Sequence, residues 1–164
     1  MKSLVFALFV TAMMSGTAHA LEPIKGPVVL TVKGAISHTN QGDTATFDME
    51  MLEALPGREG TMETPWTTGN VTFKGPLLRE VLKEVGAKGS ILVVRALNDY
   101  SAEVPVEDAD LDTILATHLD GKYMSIRDKG PLMLVYPFDQ KAELFNEKYF
   151  GRSVWQIKEI EVIR

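Results

Sequence analysis

PLLREVLKEVGAKGSILVV, residues 76–94, joins the clearest helical pattern of the sequence to its most apolar run. Leucine and valine recur at helical spacing over residues 76–85, with Pro76 in the predicted first turn and Gly86 as a stop signal. After a short polar link, residues 91–94 form a continuous apolar run of strand length, which predicts a strand buried on both faces. A helix followed closely by a buried strand indicates a domain that contains both element types.

The sequence on either side of this stretch is predicted to be rich in strands. Residues 27–32 are rich in β-branched side chains and bounded by glycines, which predicts a strand. Residues 61–73 are rich in Thr and aromatic side chains and are broken by Pro65 and Gly69-Asn70, which is typical of extended segments around a loop. Further strand-like segments are residues 122–126, 132–136 and 153–163, and short helical patterns cover residues 47–55, 110–119 and 142–149. Residues 153–163 alternate like an edge or half-buried strand. The whole pattern predicts an α+β fold, a mixed and β-rich single domain.

The first twenty residues have the pattern of a secretory signal peptide. Lys2 precedes an apolar run that is shorter than a bilayer-spanning helix, and Ala18-His19-Ala20 has the small-x-small form of a cleavage site. We therefore predict cleavage after Ala20, with residues 1–20 as the signal peptide and residues 21–164 as the mature domain. The predicted location is periplasmic or secreted, without membrane insertion after cleavage.

Composition excludes several classes of function. The chain has 164 residues, no cysteine and a net charge of −5. Without cysteine there can be no disulfide, thiolate nucleophile, iron–sulfur cluster or Cys-ligated zinc. The negative charge argues against nucleic acid as a partner. No nucleophile elbow, phosphate loop or dinucleotide fingerprint occurs, and we interpret His38 and His118 as isolated surface or capped residues. The residues alone predict no catalytic set.

One acidic run has part of a calcium-loop pattern. Asp108, Asp110 and Asp112 have the alternate spacing, but Thr113 replaces the expected glycine and Leu119 replaces the expected glutamate. We interpret the three acids as charges at the N-terminus of the predicted helix 110–119.

Aromatic and polar residues gather on the predicted loops. Trp66 lies in one loop, residues 98–100 and 127–131 form polar turns, and residues 149–155 contain Tyr149, Phe150 and Trp155. Such a set suits a flat, nitrogen-rich ring, because stacking supplies contact area and the polar groups supply direction. The alternative is that both tryptophans are core residues and the turns merely end strands. Spacing alone favours this alternative, and alternation around Trp155 predicts its burial.

Five short motifs follow one another in a defined order. They are Phe73-Lys-Gly-Pro-Leu-Leu78, Ala96-Leu-Asn-Asp-Tyr100, Asp120-Gly121, Gly130-Pro-Leu-Met-Leu-Val-Tyr-Pro137 and Arg152-Ser-Val-Trp-Gln-Ile157, with Pro105 between the second and the third. Together they resemble the molybdopterin-binding domain of the sulfite oxidase family over nearly the whole mature chain, which implies that fold. In that family a cysteine thiolate upstream of the first motif ligates molybdenum. The corresponding stretch here, Met62 to Trp66, has no cysteine.

Without this cysteine the chain is more similar to the small exported PruR-type pterin-binding proteins. That resemblance implies a non-catalytic protein that binds a reduced, metal-free pterin in the periplasm. It also implies a sensor that acts on the periplasmic domain of a membrane-bound cyclic-di-GMP signalling enzyme. One alternative is a molybdopterin-dependent oxidoreductase that holds its cofactor through the pterin alone. The other is a protein-interaction module with a vestigial pocket.

The predicted pterin site includes no catalytic residue and no metal ligand. Its nine members are Trp66, Asn98, Asp99, Tyr100, Arg127, Asp128, Gly130, Arg152 and Ser153. The resemblance places the turn 127–131 and the pair Arg152-Ser153 near the pterin. Trp66, beside the position of the missing cysteine, is predicted to stack on the ring.

The polar members of this set are predicted to bind the edge of the ring. A pterin presents its 2-amino and N3–H groups as adjacent donors, which one carboxylate can accept, and Asp99 or Asp128 is predicted to do so. Arg127 or Arg152 is predicted to donate to O4 or to side-chain hydroxyls, and Asn98 can do either. A buried structural role is the alternative for Tyr100.

Overall fold

The computed structural model describes residues 20–164. The predicted signal peptide lies outside the described residues except for Ala20. In the described part of the chain, no helix is long and apolar enough to cross a membrane.

Short strands dominate residues 20–164, as the sequence predicts. The strands are β1 Leu30–Gly34, β2 Ala45–Phe47, β3 Gly57–Met62, β4 Val71–Pro76, β5 Ile91–Ala96, β6 Ser101–Pro105, β7 Ile114–Ala116, β8 His118–Leu119, β9 Lys122–Tyr123, β10 Met133–Val135 and β11 Ile157–Ile163. The α-helices are α1 Met49–Glu53, α2 Leu78–Glu84 and α3 Glu147–Arg152. Short 3₁₀ turns cover Val106–Leu111, Ile126–Asp128 and Ala142–Leu144.

The largest sheet has five strands in the order β2-β1-β11-β5-β6. β1 and β11 are parallel, with Thr31 opposite Glu159, and the other pairs are antiparallel. The apolar side of α2 joins the core that this sheet covers. β5 alternates between buried and half-buried residues, so the prediction that it is buried on both faces was wrong. β11 lies at the centre of the sheet and not at an edge.

Two smaller sheets complete the domain, in the orders β3-β4-β8-β9 and β10-β7. The predicted helix 110–119 is wrong, because this segment pairs as β7 with β10 and as β8 with β4. Cross-strand pairing outweighs a short helical spacing here. Helix α2 also starts later than predicted, since Pro76 is the last residue of β4 and Leu77 is the N-cap.

Gly75 in the first motif permits the contact between β4 and β7. A Cβ atom at this position would lie 2.0 Å from the carbonyl oxygen of Leu115, well inside any allowed distance. The glycine is therefore required by the close approach of two backbones.

Candidate functional site

A cavity of about 480 Å³ opens where three connections meet. These are the β3–β4 loop, the β5–β6 turn, and α3 with the segment that follows it. Its lining residues are Trp66, Ala96, Asn98, Tyr100, Glu147, Phe150, Gly151, Ser153, Val154 and Trp155. Four of the nine predicted site residues, Trp66, Asn98, Tyr100 and Ser153, thus share one cavity.

Threonines hold the β3–β4 loop that carries Trp66. The backbone N–H of Trp66 donates to Thr64 Oγ1 at 3.3 Å, and the hydroxyls of Thr64 and Thr67 are 2.9 Å apart. Thr64 is buried, so the hydroxyl that fixes this turn lies inside the domain. Trp66 is half-buried and packs on a small apolar cluster that includes Phe73 and Met133.

Three aromatic side chains form the apolar walls of the cavity. The ring of Trp66 lies 5.6 Å from that of Trp155 and 5.8 Å from that of Phe150, both in edge-to-face arrangements. The predicted burial of Trp155 is wrong, because its side chain is 38% exposed. The alternation was misleading, since β11 begins only at Ile157 and Gln156 has a positive φ of 53°.

The β5–β6 turn places two of its three polar residues on the cavity. Tyr100 N donates to Asn98 Oδ1 at 3.1 Å, and Tyr100 is 55% exposed, so its burial as a structural tyrosine does not occur. Asp99 lies between them with a positive φ of 66° and does not line the cavity. Its carboxylate instead accepts from Lys158 Nζ at 2.7 Å, and this hydrogen bond lowers the pKa of Asp99.

Arg127 and Asp128 line a second cavity of about 230 Å³, which has Trp66 as a shared wall. Asp128 accepts from Ser125 Oγ at 2.8 Å within its own turn. Lys129 extends from the same turn, with Nζ 5.7 Å from the ring centre of Trp155. Gly130 is buried and lines neither cavity, and a Cβ atom there would lie 1.9 Å from the carbonyl oxygen of Met124.

Arg152 is turned away from both cavities and belongs to a buried polar cluster. Its Nη1 donates to Asp108 Oδ2 at 2.9 Å, and the hydroxyl of Tyr136 donates to the same oxygen at 2.6 Å. Burial and the hydrogen bond to Asp108 raise the pKa of Tyr136 far above its ordinary value. Asp108 is thus a buried ion-pair partner, so our interpretation of it as a charge at the start of helix 110–119 was wrong.

Sequence reasoning missed Glu147, which lines the first cavity at the start of α3. It is an exposed acid in a polar segment, a pattern typical of a solvated surface. The one available signal was its position just before the aromatic residues Tyr149 and Phe150. Ser153, at the other end of α3, is buried and donates its hydroxyl to the carbonyl of Tyr149 at 2.8 Å.

The residues present fit one half of a molybdopterin and not the other. The aromatic walls and polar rim of the first cavity suit a pterin ring. The stretch in which the resemblance places the metal cysteine offers a buried Met62 and an exposed Glu63, and the chain has no thiol at all. These side chains cannot supply the thiolate that holds molybdenum in the family.

Comparison with known proteins agrees with this architecture. Residues 31–164 match the family described as the oxidoreductase molybdopterin binding domain. The fold is similar to that of the sulfane dehydrogenase SoxCD from Paracoccus pantotrophus, with a TM-score of 0.63 and 20% sequence identity. The match covers 87% of this chain and 40% of that one, so this chain spans well under half the length of its structural relative. No curated protein sequence matches the chain. The predicted fold is confirmed.

Proposed function

The chain belongs to the oxidoreductase molybdopterin binding domain family, and from this membership we propose that it binds a reduced, metal-free pterin. The binding site in this proposal is the cavity between Trp66, Trp155 and Phe150. The protein is an exported ligand sensor without catalytic activity. It acts on the periplasmic domain of a membrane-bound cyclic-di-GMP signalling enzyme.

One observation carries the ligand assignment. Aromatic walls with polar groups at the rim line an open cavity of about 480 Å³, which is large enough to hold a small bicyclic ring. Trp66 lines this cavity and lies in the loop where the resemblance places the metal-ligating cysteine. This lining supports binding of the pterin half of the family's cofactor even though the thiolate ligand is missing.

Export and signalling rest on different support. Export is supported by the cleavage pattern that ends at Ala20, and signalling is supported by the resemblance to PruR-type proteins. N-terminal sequencing of the protein from a periplasmic fraction tests export, and we expect the mature chain to begin at Leu21. An intact Met1 in a membrane fraction would instead make the apolar segment an anchor.

The family description and the likeness to SoxCD favour a second candidate, a molybdopterin oxidoreductase that holds its cofactor through the pterin alone. In this case, purified protein would contain molybdenum in stoichiometric amount. Among residues 20–164 there is no cluster of three or more His, Asp or Glu side chains that could hold a metal ion.

One preparation distinguishes the candidates. The protein is purified from a molybdenum-replete host, and its bound small molecules are released and identified by fluorescence and mass spectrometry. We expect a fluorescent pterin and no stoichiometric molybdenum. Stoichiometric molybdenum would overturn the sensor in favour of the oxidoreductase. An empty protein that also fails to bind added pterins would favour an interaction module with a vestigial pocket.

A further inference from the structure

Building on the proposed function, we propose that Glu147 recognises the 2-amino-4-oxopyrimidine edge of the bound pterin. Glu147 then makes the site selective for pterins over pteridines that lack the 2-amino group. This role replaces the one predicted for Asp99 or Asp128.

The position of the nearby carboxylates leads to Glu147. Asp99 is paired with Lys158 at 2.7 Å and does not line the first cavity. Asp128 is bonded to Ser125 and lines the second cavity. Glu147 is the one carboxylate on the wall of the first cavity among the residues that the structure describes. Within residues 20–164, its side chain has no hydrogen bond or ion pair, so both oxygens are available to a ligand.

Contacts at both ends of α3 fix the backbone that carries Glu147. At the start of the helix, Asn146 is the N-cap, and its Oδ1 accepts from Lys148 N at 3.0 Å. At the end of the helix, Arg152 is joined to the buried Asp108 at 2.9 Å. A carboxylate on a helix that is fixed in this way costs less conformational entropy on binding than one on a free loop.

The polar residues of the cavity could supply a partner for each hydrogen-bonding group of the pterin edge. The 2-amino group and N3–H are adjacent donors, which suit the two oxygens of Glu147. The neighbouring O4 is an acceptor and needs a donor. Asn98 uses its Oδ1 for Tyr100 N, and its Nδ2 has no partner within residues 20–164, so this amide can donate to O4. Lumazine, which has a carbonyl in place of the 2-amino group, would present an acceptor to Glu147.

The test compares two probes, pterin and lumazine, both in the reduced tetrahydro form and handled without oxygen, on full-length protein after removal of any bound ligand. Affinities are measured by isothermal titration calorimetry for the wild type, Glu147→Gln and Glu143→Gln. Glu143 is an exposed acid on the preceding 3₁₀ turn and does not line the cavity, so this variant is a matched control for the lost charge. Glutamine keeps the size of the side chain but replaces one of its two acceptor oxygens with an NH₂ donor, so it can accept from only one of the two pterin donors.

We expect the wild type to prefer pterin over lumazine. Glu147→Gln should weaken pterin binding by roughly tenfold to a hundredfold, the range for loss of a charged hydrogen bond, and leave lumazine binding unchanged or stronger. Glu143→Gln should behave as the wild type. Pterin binding with unchanged selectivity in Glu147→Gln would overturn this role and leave the proposed function standing. If the wild type bound neither probe, the proposed function itself would fail, and the role of Glu147 with it.

Discussion

The two sides of helix α3 have opposite polar chemistry. Toward the core, Arg152 meets Asp108 and Tyr136 in a cluster in which each polar group has a partner. On the cavity, Glu147 has no partner among residues 20–164 and shares the lining with the aromatic residues Trp66, Phe150 and Trp155. Buried and fully paired groups stabilise a fold, whereas unpaired groups beside a cavity are available to a ligand. One short helix therefore joins a structural region to the proposed binding region, and substitutions should separate the two.

The largest effect is expected from Asp108→Ala, on stability. The substitution leaves the guanidinium of Arg152 and the hydroxyl of Tyr136 without an acceptor in a largely buried site. We expect a loss of about 3 kcal/mol in the free energy of unfolding, measured by urea titration. Asp110→Ala, on the same 3₁₀ turn but exposed, is the control and should cost less than about 0.5 kcal/mol. Equal losses in the two variants would show that the cluster does not stabilise the fold.

The next largest effects are expected at the two tryptophans. Trp66 is half-buried and packs on an apolar cluster, whereas Trp155 is more exposed. Trp66→Ala should lower the free energy of unfolding by about 2 kcal/mol, roughly half the cost at a fully buried tryptophan. It should also weaken pterin binding by roughly tenfold to a hundredfold. Trp155→Ala should weaken binding by a similar factor and leave stability nearly unchanged, because Trp155 is 38% exposed.

Urea titration and pterin titration on the same two proteins check these expectations. If Trp155→Ala unfolded the domain while binding survived in Trp66→Ala, the aromatic walls of the site would be wrongly assigned.

The smallest effect concerns alkaline pH. Because the pKa of Tyr136 is raised in the folded state, the unfolded chain loses this proton above about pH 10 while the folded chain keeps it. The free energy of unfolding should then fall by about 1.4 kcal/mol for each pH unit in this range. Tyr136→Phe should remove this part of the slope, as measured by urea unfolding between about pH 9 and 11. Identical slopes in the two proteins would mean that Tyr136 is not held protonated by the cluster.

Local sequence patterns were sufficient to predict elements whose conformation is set mainly by residues nearby in sequence. The helix α2 and the strand β5 were predicted as elements, although the start of α2 and the burial of β5 on both faces were wrong, and the ordered motifs identified the fold. The segment 110–119 was misread because its conformation depends on strands that are distant in sequence. Only the fold reveals the pairing of Asp108 with Arg152, which are separated by 44 residues.

The candidate cavity brings together only some of the residues predicted from the sequence, for the same reason. Trp66, Asn98, Tyr100 and Ser153 share one cavity because the loops that carry them converge. Asp99 was indistinguishable from its neighbours in sequence, and its positive φ and ion pair with Lys158 become visible only in the structure. Glu147 was overlooked since an exposed acid has no local pattern that separates a ligand contact from a solvated surface.

The parallel pairing of β1 with β11 has a consequence for the order of folding. Strand β1 lies between β2 and β11, and β11 is formed by residues 157–163. The five-stranded sheet therefore cannot be completed until nearly all of the domain has been synthesised. Contacts so distant in sequence slow folding, because a long loop must be ordered before they form. The central sheet therefore stays unformed until synthesis of the domain is nearly complete. This delay is compatible with the proposed export, in which the chain would fold after crossing the membrane.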